Sequence, residues 1–296
     1  MDHERLNSPS TSAISLEVMG HRLHISQDPN SKHLGTTVWD ASMVFVKFLE
    51  KNSRKGRFCP SKLKGKRVIE LGAGCGLAGF GMALLGCDVV TTDQVEVLPL
   101  LMRNVERNKS WISQSSTDSG LGSIKVAELD WGNQDHIRAV EPPFDYIIGT
   151  DVVYSEHLLQ PLLETITALS GPKTKILLGY EIRSTTVHEK MMEMWKSNFI
   201  VKTVSKSKMD AKYHHPSIHL YMMDPKAPLT PEAGVSADGN DEDDEDVSNP
   251  GEEEDGGEKT DESCSGLQES KSGSLNDWEI RRCGAMAARL LKDVKI

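Results

Sequence analysis

Two rhythms of apolar residues run along this chain. From Leu16 to Ile25 apolar and polar positions alternate about Gly20, a pattern that predicts a short hairpin. Residues 40–50 then place Met43, Val44, Val46, Phe48 and Leu49 at helical spacing, with Asp40 as the expected N-cap. A strand–helix alternation follows. Strands are predicted at Arg67–Leu71, Asp88–Thr92, Ser123–Glu128, Phe144–Gly149 and Lys175–Gly179. Helices are predicted at about Leu77–Leu85, from the second of these strands to about Asn108, at His157–Leu169 and at Val187–Trp195. Phe199–Val204 and Ile218–Met222 read as two closing strands, and residues 112–122 as a Ser/Gly-rich surface loop. Apolar strands alternating with helices predict a doubly wound α/β domain, with a mostly parallel seven-stranded sheet covered on both faces.

Beyond Asp224 the pattern stops. Pro225, Pro228 and Pro231 open a linker. Between Asp238 and Glu262 stand 14 acidic residues and one Lys. Subtracting that −13 from the chain's −10 leaves +3, so the acidity belongs to one segment and the body is near neutral. A near-neutral body offers no electrostatic case for nucleic-acid binding. The domain is therefore expected over 15–224. A disordered N-terminus (1–14) precedes it and an acidic disordered linker (225–276) follows. Over 277–296, Ile280, Cys283, Ala287, Leu290 or Leu291 and Val294 recur at helical spacing, an amphipathic pattern suited to a partner, although Gly284 weakens it.

Five cysteines, at 59, 75, 87, 264 and 283, form no C-x-x-C pair and leave an odd count. Neither a disulfide framework nor a metal site is expected, and reduced thiols place the chain in the cytoplasm or nucleus. Met1–Ser15 is polar and lacks the apolar core of a secretory signal. No run approaches the roughly 18 apolar residues of a membrane helix.

The chemistry centres on Glu70-Leu-Gly72-Ala-Gly74-Cys-Gly76, which follows a strand and opens a helix. A chain bending there passes beneath a ligand at the carboxyl ends of the strands, where a Cβ would collide with it. Gly74-Cys-Gly76-Leu-Ala-Gly79 satisfies the dinucleotide fingerprint G-x-G-x-x-G, while Glu70 completes the methyltransferase form E-x-G-x-G-x-G. Asp93 ends the next strand and can accept both ribose hydroxyls of either cofactor. An NAD(P)-binding oxidoreductase thus stands beside an S-adenosylmethionine enzyme. A third reading is an inactive cofactor-binding module working through its acidic segment. The fourth strand of the domain core ends in Thr150-Asp151-Val-Val-Tyr154, where an acid and a phenol three residues apart can orient a nucleophile. Read alone, Asp151 serves equally well as an N-cap, and Trp39 and Trp131 as core.

Val38-Trp39-Asp40-Ala41, Glu70-Leu-Gly-Ala-Gly-Cys-Gly-Leu77, Thr92-Asp93, Leu129-Asp130-Trp131-Gly132, Phe144-Asp145 and Asp151-Val-Val-Tyr154 occur in order. Together they resemble the methyltransferase-like 21 family of seven-strand protein-lysine methyltransferases, over roughly Leu16–Met223. The resemblance implies S-adenosylmethionine as cofactor, held by Trp39, Gly72, Ala73, Gly74, Asp93, Trp131 and Thr150. It implies Asp151 and Tyr154 beside the methyl acceptor. Family members often carry a smaller residue where Thr150 stands. Amide- and base-nitrogen methyltransferases of related fold carry prolines between the acid and the tyrosine; Val152 and Val153 fit a flexible lysine amine instead. The partner so implied is a protein presenting a lysine, of the abundant cytosolic kind: a chaperone, an AAA ATPase or a translation factor. A small molecule or another protein side chain is the alternative acceptor.

Two further groups draw attention. His214 and His215 are adjacent, with His219 nearby. Neighbouring side chains on a strand point to opposite faces, so a loop or strand-edge role is expected rather than metal ligation. Lys51–Arg67 is rich in Lys and Arg and reads as a solvated loop. No Ser-His-Asp or G-x-S-x-G pattern points to a hydrolase.

Overall fold

The computed structural model describes residues 11–114 and 121–226. The proposed helix at 277–296, the acidic linker beyond Lys226 and residues 1–10 lie outside them.

The chain opens with the hairpin, β1 (Ala13–Val18) and β2 (His21–Ser26), turning at Met19 and Gly20, both with positive φ. β1 begins within the segment expected to be disordered. Helix α1 (Asp40–Asn52) follows. Its N-cap is Trp39, and Asp40 is the first helical residue rather than the cap. The basic stretch contains a short helix, α2 (Pro60–Leu63), started by its proline. It is also tied down: Lys51 Nζ donates to the carbonyls of Ser207 and Met209, and the Arg67 guanidinium to those of Glu141 and Pro143.

The alternating units are β3 (Arg67–Leu71), α3 (Leu77–Leu84), β4 (Asp88–Asp93), α4 (Leu98–Gln114), β5 (Ser123–Glu128), α5 (Gln134–Ala139), β6 (Phe144–Thr150), α6 (Leu159–Leu169), β7 (Ser170–Glu181), α7 (Thr185–Asn198), β8 (Phe199–Thr203) and β9 (Ile218–Pro225). The sheet order is β5-β4-β3-β6-β7-β9-β8. The first five strands run parallel, and β9 enters antiparallel between β7 and β8. Several boundaries moved from expectation. α4 continues six residues past Asn108, β7 starts at Ser170, and Glu156–Leu158 forms a 3-10 turn before α6.

Successive strand residues feed opposite faces. Val68, Ile148 and Leu177 pack with the hairpin, α1, α3 and α4. Ile69, Leu71, Ile147, Ile176 and Leu178 pack with α5, α6 and α7. Both faces are covered, so these strands lack polar alternation. The chain leaves β3 for one face and β6 for the other. These two strands are neighbours, with Leu71 opposite Gly149, so a crevice opens beyond their carboxyl ends.

Candidate functional site

That crevice is floored by the Gly-rich turn. Gly72, Gly74 and Gly76 all have positive φ, a region that costs any residue with a Cβ. All three also lack room for a Cβ; one on Gly76 would lie 2.8 Å from Leu101 Cδ1. A Cβ on Gly72 would lie 2.9 Å from Val152 Cγ1 and 3.2 Å from the Trp131 ring. A Cβ on Gly74 would lie 2.8 Å from the Gly35 carbonyl oxygen. The short 3-10 turn Leu34–Thr36 therefore crosses directly over the bend, a contact that no local pattern in the sequence announces.

Asp93, at the end of β4, is buried against this turn. Its Oδ2 accepts the Gly74 N–H at 2.7 Å and its Oδ1 accepts the Gln94 N–H at 2.8 Å. Each carboxylate oxygen retains a second lone pair for a ligand hydroxyl. Burial raises the Asp93 pKa, and the two backbone donors oppose the rise. Ala73 donates its N–H to the Thr92 carbonyl at 2.9 Å, which fixes the turn to β4. Asn104 on α4 is fully buried. Its amide donates to the carbonyls of Cys75 and Ser26, joining turn and hairpin.

Glu70 lies under the same turn, on the α3 side. Thr91 Oγ1 donates to its Oε2 at 2.6 Å, and a Cβ on Gly79 would collide with that oxygen. Gly79 is thus the clearance for a buried acid. Burial pushes the Glu70 carboxyl up to about 8 despite the Thr91 hydrogen bond.

Trp131 is held at the centre of a turn. Asn133 donates its N–H to the Asp130 carbonyl, Gly132 to Thr165 Oγ1 at 2.8 Å, and the Asp130 N–H meets His136 Nδ1 at 3.1 Å. Its half-buried ring packs against Gly72 at the edge of the crevice. Trp39 is also half-buried, its Nε1 donating to the Leu34 carbonyl at 2.8 Å. Thr150 ends β6, buried, opposite Gly179 of β7.

Asp151 takes a left-handed conformation (φ 61°), and its N–H donates to the Gly179 carbonyl at 2.6 Å. It caps no helix; Ser155 precedes the 3-10 turn. Its carboxylate is instead gripped by Arg183, with Nη1 at 2.6 Å from Oδ1 and Nη2 at 2.5 Å from Oδ2. The same Nη2 lies 2.9 Å from Glu181 Oε2, and the guanidinium carbon stands 5.8 Å from the Trp39 ring centroid. Tyr154 is 45% exposed. Burial of its hydroxyl and the charge of Asp93 raise its pKa, so it stays a protonated donor at neutral pH.

The structure thus gathers Gly72, Ala73, Gly74, Asp93, Trp131 and Thr150 around one crevice. Trp39, Asp151 and Tyr154 join along its β6 side. Glu181, Arg183, Gly35 and Asn104 are participants that the sequence reading passed over. A charged pair just beyond a strand end, Glu181-Ile-Arg183, was the available signal for two of them. His214 and His215 lie in the loop entering β9, the loop position expected of them. Among the described residues, no helix is long and apolar enough to cross a membrane.

Arg183 partly neutralises two buried carboxylates. Arg183→Gln is expected to cost about 2 kcal/mol, below the usual 3–5 for an orphaned buried charge because its own side chain is partly exposed. Urea unfolding of the variant checks this, and an unchanged midpoint would show the pairing to be dispensable.

Comparison with known proteins agrees with this geometry. A family described as lysine methyltransferase matches residues 18–198. The protein N-lysine methyltransferase METTL21A of Danio rerio is 38% identical over 172 residues, 58% of this chain and 72% of that protein. Its Xenopus tropicalis counterpart is 33% identical over 65% of this chain and 81% of its own length. The EEF1A lysine methyltransferase 3 of Mus musculus is 32% identical over 56% of this chain and 64% of its own.

Proposed function

Because this chain belongs to the lysine methyltransferase family, we propose that it transfers a methyl group from S-adenosylmethionine to a lysine ε-amine of a cytosolic protein. The observation that carries the reading is the crevice at the strand switch point, with a cleared Gly turn on one wall and a buried carboxylate pair on the other. The residues suit this cofactor. Glycine at 72 and 74 lets Val152, Trp131 and the Gly35 carbonyl close tightly on the turn and fix its shape, and Asp93 beside it keeps acceptor capacity for sugar hydroxyls.

The cofactor supplies an electrophilic methyl group on a sulfonium sulfur. The remaining roles fall to the chain. Trp39, Gly72, Ala73, Gly74, Asp93, Trp131 and Thr150 bind and orient it, and the aromatic faces favour a nearby cation. Asp151 fixes the acceptor side through Arg183, and Tyr154 at the rim offers a hydroxyl to the incoming amine. A lysine amine has a pKa of about 10.4 and must lose a proton before it attacks. Alignment of the neutral amine with the methyl group contributes several kcal/mol.

Chaperones, AAA ATPases and translation factors are the target classes the family resemblance suggests, and one relative is named an EEF1A lysine methyltransferase. The test is transfer of tritiated methyl from S-adenosylmethionine into a soluble lysate, followed by gel separation and mass mapping. Label on lysine of one or a few proteins is expected. Label confined to metabolites would contradict the reading.

A further inference from the structure

The carboxyl ends of β6 and β7 and the loop entering β9 hold a continuous polar chain that the roles above do not use. The Arg183 fork is spent on Asp151, both of whose oxygens it binds; the Asp151 side chain is 2% exposed. Glu181 meets the same guanidinium through Oε2 at 2.9 Å, so the two carboxylates stand side by side. The other Glu181 oxygen, Oε1, accepts from Ser217 Oγ at 3.4 Å. Ser217 Oγ in turn lies 2.7 Å from His215 Nδ1, and the Ser217 N–H points at that nitrogen from 3.2 Å. Nδ1 accepts the Ser217 N–H, and it accepts the Ser217 hydroxyl only when that hydroxyl turns away from Glu181. His215 is half-buried, and the chain of groups runs from the crevice towards solvent. Asp151 is clamped, whereas Glu181 is connected.

We propose that Glu181 takes the proton from the acceptor lysine ammonium, that Arg183 positions it beside Asp151, and that Ser217 and His215 carry the proton to the surface. This rests on the lysine-methyltransferase reading of the crevice. The lysine Nζ–H bond breaks as a Glu181 O–H bond forms. Once Glu181 is protonated the Ser217 hydroxyl turns from it to His215; Ser217 Oγ accepts the Glu181 proton while its own passes to His215 Nδ1, the ring gives its Nε2–H to water, and exchange with water restores the starting tautomer. The neutral amine uses its lone pair for the new N–C bond, the S–C electron pair stays with sulfur, and the product leaves as a methylated ammonium. Among the described residues, charged groups at this edge include Asp151 just after β6, Arg183 in the loop after β7, His215 from the loop before β9, and buried Asp40 from the first turn of α1, which packs on β7.

The test measures tritium transfer into soluble lysate protein from pH 6.5 to 10, alongside S-adenosylhomocysteine affinity by calorimetry. Glu181→Gln is expected to lose about 100-fold in rate at pH 7.5 and to regain it as pH approaches the lysine pKa of about 10.4, with affinity within about twofold of wild type. Ser217→Ala, which keeps every carboxylate, should lose about tenfold at pH 7.5 with the same affinity, and added imidazole should restore part of the rate. Labelling by wild type together with a Glu181→Gln profile parallel to it, at any rate level, overturns the assignment alone. Should Glu181→Gln fail to bind S-adenosylhomocysteine, Ser217→Ala decides, and a wild-type profile there overturns the relay. A wild type that labels no lysine overturns the lysine reading and this proposal with it.

Discussion

Asp93→Ala is expected to weaken S-adenosylhomocysteine binding by about 100-fold while the protein remains folded. Two charge-assisted hydrogen bonds to sugar hydroxyls, each contributing about 1.5–3 kcal/mol, would be lost. The Gly74 N–H, held at 2.7 Å by this carboxylate, would lose its partner as well, and the turn beneath the ligand would loosen. Asp93→Asn keeps one acceptor oxygen and should fall between the two. Gly74→Ala reaches a similar loss by another route: its Cβ would meet the Gly35 carbonyl, at a φ of 57° that disfavours any side chain. Calorimetric titration of the three variants distinguishes these effects. Wild-type affinity in Asp93→Ala would remove the carboxylate from the cofactor site.

The second large effect concerns stability and pH. Glu70 is buried and its carboxyl is raised from 4.5 to about 8, chiefly by desolvation. The folded state therefore holds a proton that the unfolded chain releases between those two values. Stability from this group is intact below about pH 4.5, falls as pH rises through the window, and is fully lost above about 8. At about 1.36 kcal/mol per pH unit, the loss is on the order of 5 kcal/mol. Glu70→Gln removes the titration while retaining a polar group beside Thr91. Asp93 shifts in the same direction and leaves a slope of the same sign in that variant. Urea unfolding at pH 5, 6.5 and 8 should show the wild type losing stability more steeply than Glu70→Gln. Parallel curves would mean that Glu70 is already ionised in the fold.

Much of this was legible in the residues, for identifiable reasons. β3 has the limits its apolar run predicted, because a strand buried on both faces is bounded by polar residues at one end and the Gly turn at the other. The turn itself was readable because positive φ and close approach leave glycine as the residue that fits. What escaped notice depends on distant parts of the chain. The insertion of β9 between β7 and β8 is set by packing, and it brings Ser217 and His215 to Glu181. The crossing of Gly35 over Gly74 joins segments far apart in sequence. The strand expected from Lys175 starts earlier, because Ser170 pairs with Phe144. The fork of Arg183 on Asp151 is a contact that side-chain geometry alone carries.

A crystal structure with S-adenosylhomocysteine bound tests the central claim most directly. The account predicts both ribose hydroxyls at about 3 Å from the Asp93 carboxylate, the Gly72–Gly74 backbone beneath the ligand, and the sulfur directed at the Asp151–Glu181 edge. A nucleoside seated elsewhere, with Asp93 still turned only towards Gly74 and Gln94, would contradict it.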